Sequence, residues 1–174
     1  MFFRDAEIQM NYFQLLNIKE GYDVDFDQLH QQYLSLQIIH HPDNITADNK
    51  KNNLSISIDL NNAYKILKDE VLRAEYLLSL YNIDINADNL RTRLSTIELQ
   101  NIWQELEKVE EISDYKILEL EYQHQQRIKA EILLNLTKAF ADKQWFLAVN
   151  LTIRLKYLVN LINNIKLKIN ILCK

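Results

Sequence analysis

The sequence predicts an all-α protein of two helical domains, on three observations. Its 174 residues include one glycine and one proline, too few for the frequent tight turns that a chain of short strands requires. Apolar residues recur at three- and four-residue steps through most of the chain, the period of helices that bury one stripe. Aspartates such as Asp25, Asp114 and Asp142 fall at the breaks between those stripes, where their side chains can cap a helix. A chain of this length makes one or two domains, each with a modest core.

Residues 11–18 (NYFQLLNI) form a short apolar helix with Tyr12, Leu15 and Leu16 on one side. Gly21 marks a loop ending at Asp25, the N-cap of the next helix. Over 26–40, Phe26, Leu29, Tyr33, Leu36 and His40 trace a buried stripe. A loop follows at the single proline, and the next helix begins near residue 50. The stretch 54–60 alternates apolar and polar, as a strand would. A lone strand has no partner, however, and Leu60, Ala63, Tyr64, Leu67, Val71 and Ala74 continue at helical spacing. The sequence therefore predicts a helix there. Segment 72–81 (LRAEYLLSLY) is more apolar and suited to docking one half of the chain on the other. Polar residues 82–94 read as a linker between an N-terminal domain (1–81) and a C-terminal domain (95–174).

Three long stripes follow. Leu99, Ile102, Trp103, Leu106 and Val109 form the first; Leu118, Tyr122, Ile128, Ile132, Leu136, Ala139 and Phe140 form the second. Trp145, Ala148, Thr152, Leu155, Val159, Ile162, Ile165 and Ile169 form the third. Ser113-Asp114 and Asp142-Lys143 supply N-cap-type residues and short connections, so neighbours pack antiparallel in a three-helix bundle.

Composition narrows the functions. A formal net charge of −4 argues against nucleic acid as the main partner, which needs a basic surface. Arg154, Lys156, Lys166, Lys168 and Lys174 cluster near the C-terminus and read as a solvated helix face. The single cysteine, Cys173, forms neither an internal disulfide nor a thiolate cluster. The first residues lack the charged and apolar regions of a secretory signal. No uninterrupted apolar run of ~18 residues is present, which argues against a membrane span. The expectation is a cytoplasmic protein without membrane contact.

The lone proline stands in His41-Pro42-Asp43. It locks its own φ, lacks a backbone donor and pushes His41 out of the α region. Asp43 can accept charge-assisted hydrogen bonds from an arginine on a partner. This loop between two amphipathic helices resembles the signature loop of J-domain co-chaperones, which recruit and switch on ATPase chaperones of the DnaK class. Asn11-Tyr12-Phe13, Leu60-Asn61-Asn62-Ala63-Tyr64 and the run Arg73-Ala74-Glu75-Tyr76-Leu77-Leu78-Ser79-Leu80 extend the likeness. Together they resemble HscB, the J-type co-chaperone of bacterial iron–sulfur cluster assembly, over residues 11–169.

That resemblance implies an N-terminal J domain, a helical hairpin with the His-Pro-Asp loop at its turn, joined to a C-terminal three-helix domain. It implies that His41, Pro42 and Asp43 contact the chaperone HscA and accelerate its ATP hydrolysis. The bundle would carry the scaffold protein IscU, and the chain would catalyse no covalent step and hold no cofactor or metal. The CxxC zinc module of many eukaryotic relatives is missing from this sequence, as in bacterial members. Two features depart from the family. The helix before the loop reads QQYLSLQIIH over 31–40 and Asn44 follows Asp43, so the usual basic face is nearly gone and electrostatic steering is weak. The scaffold face falls on Thr96, Ile97, Gln100, Asn101, Gln104 and Lys108 of the first bundle helix and Tyr157 of the last. Ile97 and Tyr157 keep the family's apolar and aromatic character, while the usual glutamates are amide or basic here. The alternative reading is a generic J-domain protein that brings a different client to a DnaK-type chaperone.

Other groupings read as structure. His40 and His41 with Asp43 suggest a metal site, but adjacent helical residues point ~100° apart. Glu105, Glu107, Glu110 and Glu111 read as the solvated side of an amphipathic helix. No nucleophile–base pair or glycine-rich phosphate loop is visible.

Overall fold

Seven helices and no strand account for the regular structure of the described residues. The computed structural model describes residues 10–40, 50–85 and 96–173, and for 50–53, 96–99 and 101–103 the backbone alone. In order the helices are α1 (Tyr12–Leu15), α2 (Phe26–Ile39), α3 (Lys50–Lys68), α4 (Glu70–Leu80), α5 (Thr96–Glu111), α6 (Tyr115–Ala141) and α7 (Trp145–Leu172). The alternating stretch 54–60 is helical throughout, as the continuing period predicts. The chain separates into two compact units, residues 1–73 and 74–174.

In the first unit α3 packs on both α1 and α2. Phe13, Leu16, Leu29, Leu60, Ala63 and Leu67 are fully buried, each large side chain contributing ~1.5–3 kcal/mol. Asp25 caps α2 as expected, its carboxylate accepting from the Asp27 and Gln28 amides. Asn11 caps α1 in a reciprocal box with Gln14. The stripe from Leu60 to Ala74 spans two helices: α3 ends at Lys68, and Asp69 Oδ1 accepts from the Val71 and Leu72 amides to start α4. One expectation is revised. Phe26, placed in the buried stripe, is 51% exposed, because it opens α2 and lies 5.2 Å from the Arg73 guanidinium.

Arg73 is itself the main polar group of this core, 5% exposed. Its Nε donates to the Tyr22 carbonyl at 2.9 Å and its Nη1 to the Leu67 carbonyl at 2.7 Å. Its plane lies 4.8 Å from the Tyr22 ring, and the Tyr22 hydroxyl donates to the Glu70 carbonyl at 3.1 Å. Burial pushes the Tyr22 phenol well above its ordinary range, against the pull of the Arg73 charge. The same burial lowers the Arg73 guanidinium.

In the second unit α7 packs along α6 and against α5. Ala148, Val149, Leu151, Ile153, Leu155, Leu158, Leu161, Ile162 and Ile165 are buried, with Thr152 donating to the Ala148 carbonyl. The buried set is wider than one stripe because the end of α4 also packs here. The Tyr81 ring lies 4.2 Å from Trp145, and Lys156 Nζ 2.8 Å from the Glu75 carboxylate. This revises the reading of α7 against a membrane span: it is long and apolar enough to cross a bilayer, but half of that stretch is buried inside the protein.

Asp114 caps α6 as expected. Asp142 does not cap α7; it closes α6, and α7 starts after Gln144 with no side-chain cap. With glycine nearly absent, three helix ends place Asn17, Asn82 and Lys143 at positive φ. Each is followed by a bond that closes a Schellman turn: Ile18 to Phe13, Ile83 to Leu78 and Gln144 to Ala139. Asparagine tolerates this conformation better than other residues with a Cβ, which accounts for two of the three.

Candidate functional site

His41, Pro42 and Asp43 lie outside the described residues; the two helices that flank them are described in detail. α2 ends at Ile39 and is capped by His40, whose amide donates to the Leu36 carbonyl, and α3 starts at Lys50. Between the arms runs a seam of paired side chains. His30 Nδ1 meets the Tyr64 hydroxyl at 3.0 Å, and the Tyr33 hydroxyl donates to Asn61 Oδ1 at 2.7 Å. The Gln37 amide donates to the same Asn61 oxygen at 3.1 Å, and Ser57 Oγ donates to Gln37 Oε1 at 3.1 Å. Tyr33 and Tyr64 stack 4.2 Å apart at 15°. Numbers rise along α2 as they fall along α3, so the arms are antiparallel and their register is set on both sides of the connection.

Why this seam forms follows from helical spacing. Residues 30, 33 and 37 share one side of α2, and 57, 61 and 64 one side of α3. Next to it, Leu34 and Ile38 on α2 and Leu54 and Ile58 on α3 are exposed. By the 100° step of a helix both pairs turn away from the core residues Leu29 and Leu60. The outer side of α2 is therefore apolar and amide-rich, with no lysine or arginine among its residues.

The candidate scaffold residues lie on α5 and α7. Gln100, Gln104 and Lys108 are exposed along α5; Ile97 and Asn101 belong to the same helix, and their side chains are outside the described residues. Tyr157 is exposed on α7. The connections at 112–114 and 142–144 are each too short for anything but antiparallel neighbours, so α5 and α7 run parallel. Lys108 also lines a cleft of about 490 Å³ between α5 and α6, together with Glu105, Glu111, Glu121, His124 and Gln125. There the one cation stands among three carboxylates.

Sequence reasoning missed several residues that shape these surfaces. Gln125 falls between members of the α6 stripe, yet it is 3% exposed and donates to Glu121 Oε1 at 2.7 Å. The basic cluster near the C-terminus is not simply a solvated face. Lys156 pairs with Glu75, and Lys168 donates to the Val109 carbonyl at 2.9 Å and to the Glu110 carbonyl. These partners are distant in sequence, and no local pattern announces them.

Comparison with known proteins assigns both halves. Residues 11–76 match the DnaJ domain family, and residues 99–166 match the family described as HSCB C-terminal oligomerisation domain. A co-chaperone protein HscB homolog of Vibrio cholerae is 29% identical over 163 residues, covering 90% of this chain and 95% of that protein. The mitochondrial J-type co-chaperone of Saccharomyces cerevisiae is 33% identical over 145 residues, covering 79% and 74% respectively. The fold is similar to human co-chaperone HscB, with a TM-score of 0.85, 25% identity and coverage of 93% and 83%. It is likewise similar to HscB from Vibrio cholerae, with a TM-score of 0.76, 29% identity and coverage of 90% and 96%.

Proposed function

Because the chain belongs to the HscB family of J-type co-chaperones, we propose that it delivers an iron–sulfur scaffold protein of the IscU type to a DnaK-class chaperone of the HscA type. On this reading it stimulates that chaperone's ATPase and so assists cluster transfer, in the cytoplasm where such a scaffold works. One observation carries the proposal: a DnaJ-domain match that spans the His41-Pro42-Asp43 loop and an HscB C-terminal match occur in one chain. The first half supplies a chaperone contact and the second a client contact. Neither half needs to make or break a covalent bond.

The roles follow from chemistry at each end. Pro42 limits the loop's conformations, so less entropy is lost when it docks. Asp43 offers a carboxylate to a cationic group on the chaperone, and His41 adds a donor and an acceptor beside it. On the client side Ile97 and Tyr157 are the apolar and aromatic anchors, with Gln100, Asn101, Gln104 and Lys108 as the polar rim.

The test is a chaperone ATPase assay with the full chain, with and without the scaffold. The chain should raise turnover, and the scaffold should raise it further. Asp43→Asn or His41→Gln should abolish stimulation while leaving the helical circular dichroism spectrum intact. A desolvated charge pair that loses one member costs ~2–5 kcal/mol, enough to remove a transient complex. Full stimulation by either variant would sink the role of the loop. Stimulation indifferent to the scaffold would instead mark a J-domain protein serving another client.

A further inference from the structure

We propose that Lys168 is a positioning residue: it fixes the axial register of α5 against α7 and thereby assembles the client face. The inference rests on the client reading above for its consequence, but its structural part stands on contacts within the second unit.

The C-terminus of a helix leaves its last carbonyls without intrahelical partners and carries a partial negative charge. α5 worsens this, since Glu107, Glu110 and Glu111 crowd its final turns against one cation of its own, Lys108. Lys168 answers both needs from another helix. Its ammonium donates to the Val109 and Glu110 carbonyls. Beside it Val109 is 4% exposed, the one buried side chain among those described on α5. α6 and α7, by contrast, share a long apolar interface. The hold on the described part of α5 is therefore concentrated at Val109 and Lys168.

That location matters because α5 and α7 run parallel. An anchor at Val109 and Lys168 sets how far one helix is slid along the other. Tyr157 precedes Lys168 by about eleven residues, or ~16 Å of helix. The same distance back from Val109 reaches about residue 98, between Ile97 and Asn101. With the clamp closed, the aromatic anchor of α7 is level with the apolar anchor of α5. Sliding α5 by a single turn, ~5.4 Å, would separate them.

The experiment uses the full chain carrying Lys168→Met, Lys168→Gln or Lys168→Arg, and the apo form of an IscU-type scaffold as the probe. Amide hydrogen exchange along α5, scaffold affinity by calorimetry, and chaperone stimulation without scaffold are measured on each. Lys168→Met should speed exchange over 104–111 and weaken scaffold binding by about tenfold. Exchange in α2 and α3, and stimulation without scaffold, should stay at the wild-type level. Lys168→Arg keeps the charge and the donors and should restore most of the affinity, which loss of bulk packing would not predict. If Lys168→Met does not fold, Lys168→Gln carries the same expectation with a smaller steric change. Unchanged α5 exchange in the neutral variants would overturn the clamp. Faster α5 exchange with undiminished affinity would overturn its role in the client face. A wild-type chain that fails to bind the scaffold would refute the client reading, and the exchange data would still decide the clamp.

Discussion

Arg73 shows how one residue can make a sequence motif necessary. It opens the RAEYLLSL run, and its guanidinium joins the Tyr22 and Leu67 carbonyls while facing the Tyr22 and Phe26 rings. Lysine cannot donate in two fixed directions and stack at once. Arg73→Met should cost about 2–4 kcal/mol of stability, because it leaves buried carbonyls unsatisfied. Urea unfolding followed by circular dichroism measures that loss. Its neighbour Tyr22 supplies a pH signature. Burial raises the Tyr22 phenol in the folded state, so above its ordinary value near 10 the unfolded chain releases a proton that the folded chain keeps. Stability from this group is thus complete below pH 10 and falls as pH rises beyond it. Tyr22→Phe should flatten the alkaline limb of the stability curve while losing the bond to the Glu70 carbonyl. An alkaline limb identical to wild type would show that the phenol is not protected.

At the level of elements, the α2–α3 hairpin divides its labour by face. One side buries Leu29, Leu60 and Leu67, the seam of Tyr33, Gln37, Asn61 and Tyr64 holds the register, and the outer surface exposes Leu34 and Ile58. The α2 side of that surface carries no lysine or arginine. Chaperone association should therefore change less than about threefold between low and physiological ionic strength. Leu34→Lys, placed on an exposed turn where it disturbs no core contact, should speed association at low salt and make it salt-dependent. Stopped-flow rates across a salt series check both. A steep salt dependence in the wild-type chain would place the contact surface elsewhere. The same helices show what pattern alone conveys: α2, α3 and α6 start where an aspartate or a long period predicts. The break at Asp69 falls inside a continuous apolar stripe, and its aspartate caps α4 through the Val71 and Leu72 amides.

On the proposed function, the whole molecule combines a chaperone-facing half with a client-facing half. If Ile97 and Tyr157 are the client anchors, the double substitution Ile97→Ala with Tyr157→Ala should weaken scaffold binding by roughly tenfold or more, since buried anchors dominate small interfaces. Chaperone stimulation without scaffold should remain at the wild-type level. Calorimetry and the ATPase assay read the two halves separately, and unaltered scaffold affinity would mean that the client docks elsewhere or is a different protein. Lys108, where the resemblance implies glutamate, lines the α5–α6 cleft beside Glu105, Glu111 and Glu121. Its charge therefore stands in an acidic setting within this chain.

Sequence alone determined the helical class, the two-part organisation into a J-type hairpin and a helical bundle, and the family, because periodicity, breaker scarcity and the His-Pro-Asp and RAEYLLSL strings are local and need no knowledge of packing. Asp25 and Asp114 were readable as caps for the same reason: a cap bonds within three residues of itself. Tertiary structure decided what depends on residues far apart in the chain. It buried Arg73 on the Tyr22 carbonyl, drew α7 into the centre of its unit so that it is covered on more than one side, and carried Lys168 to the end of α5. Charged side chains are exposed by default, and an individual lysine or arginine becomes structural only when the fold delivers unsatisfied carbonyls to it.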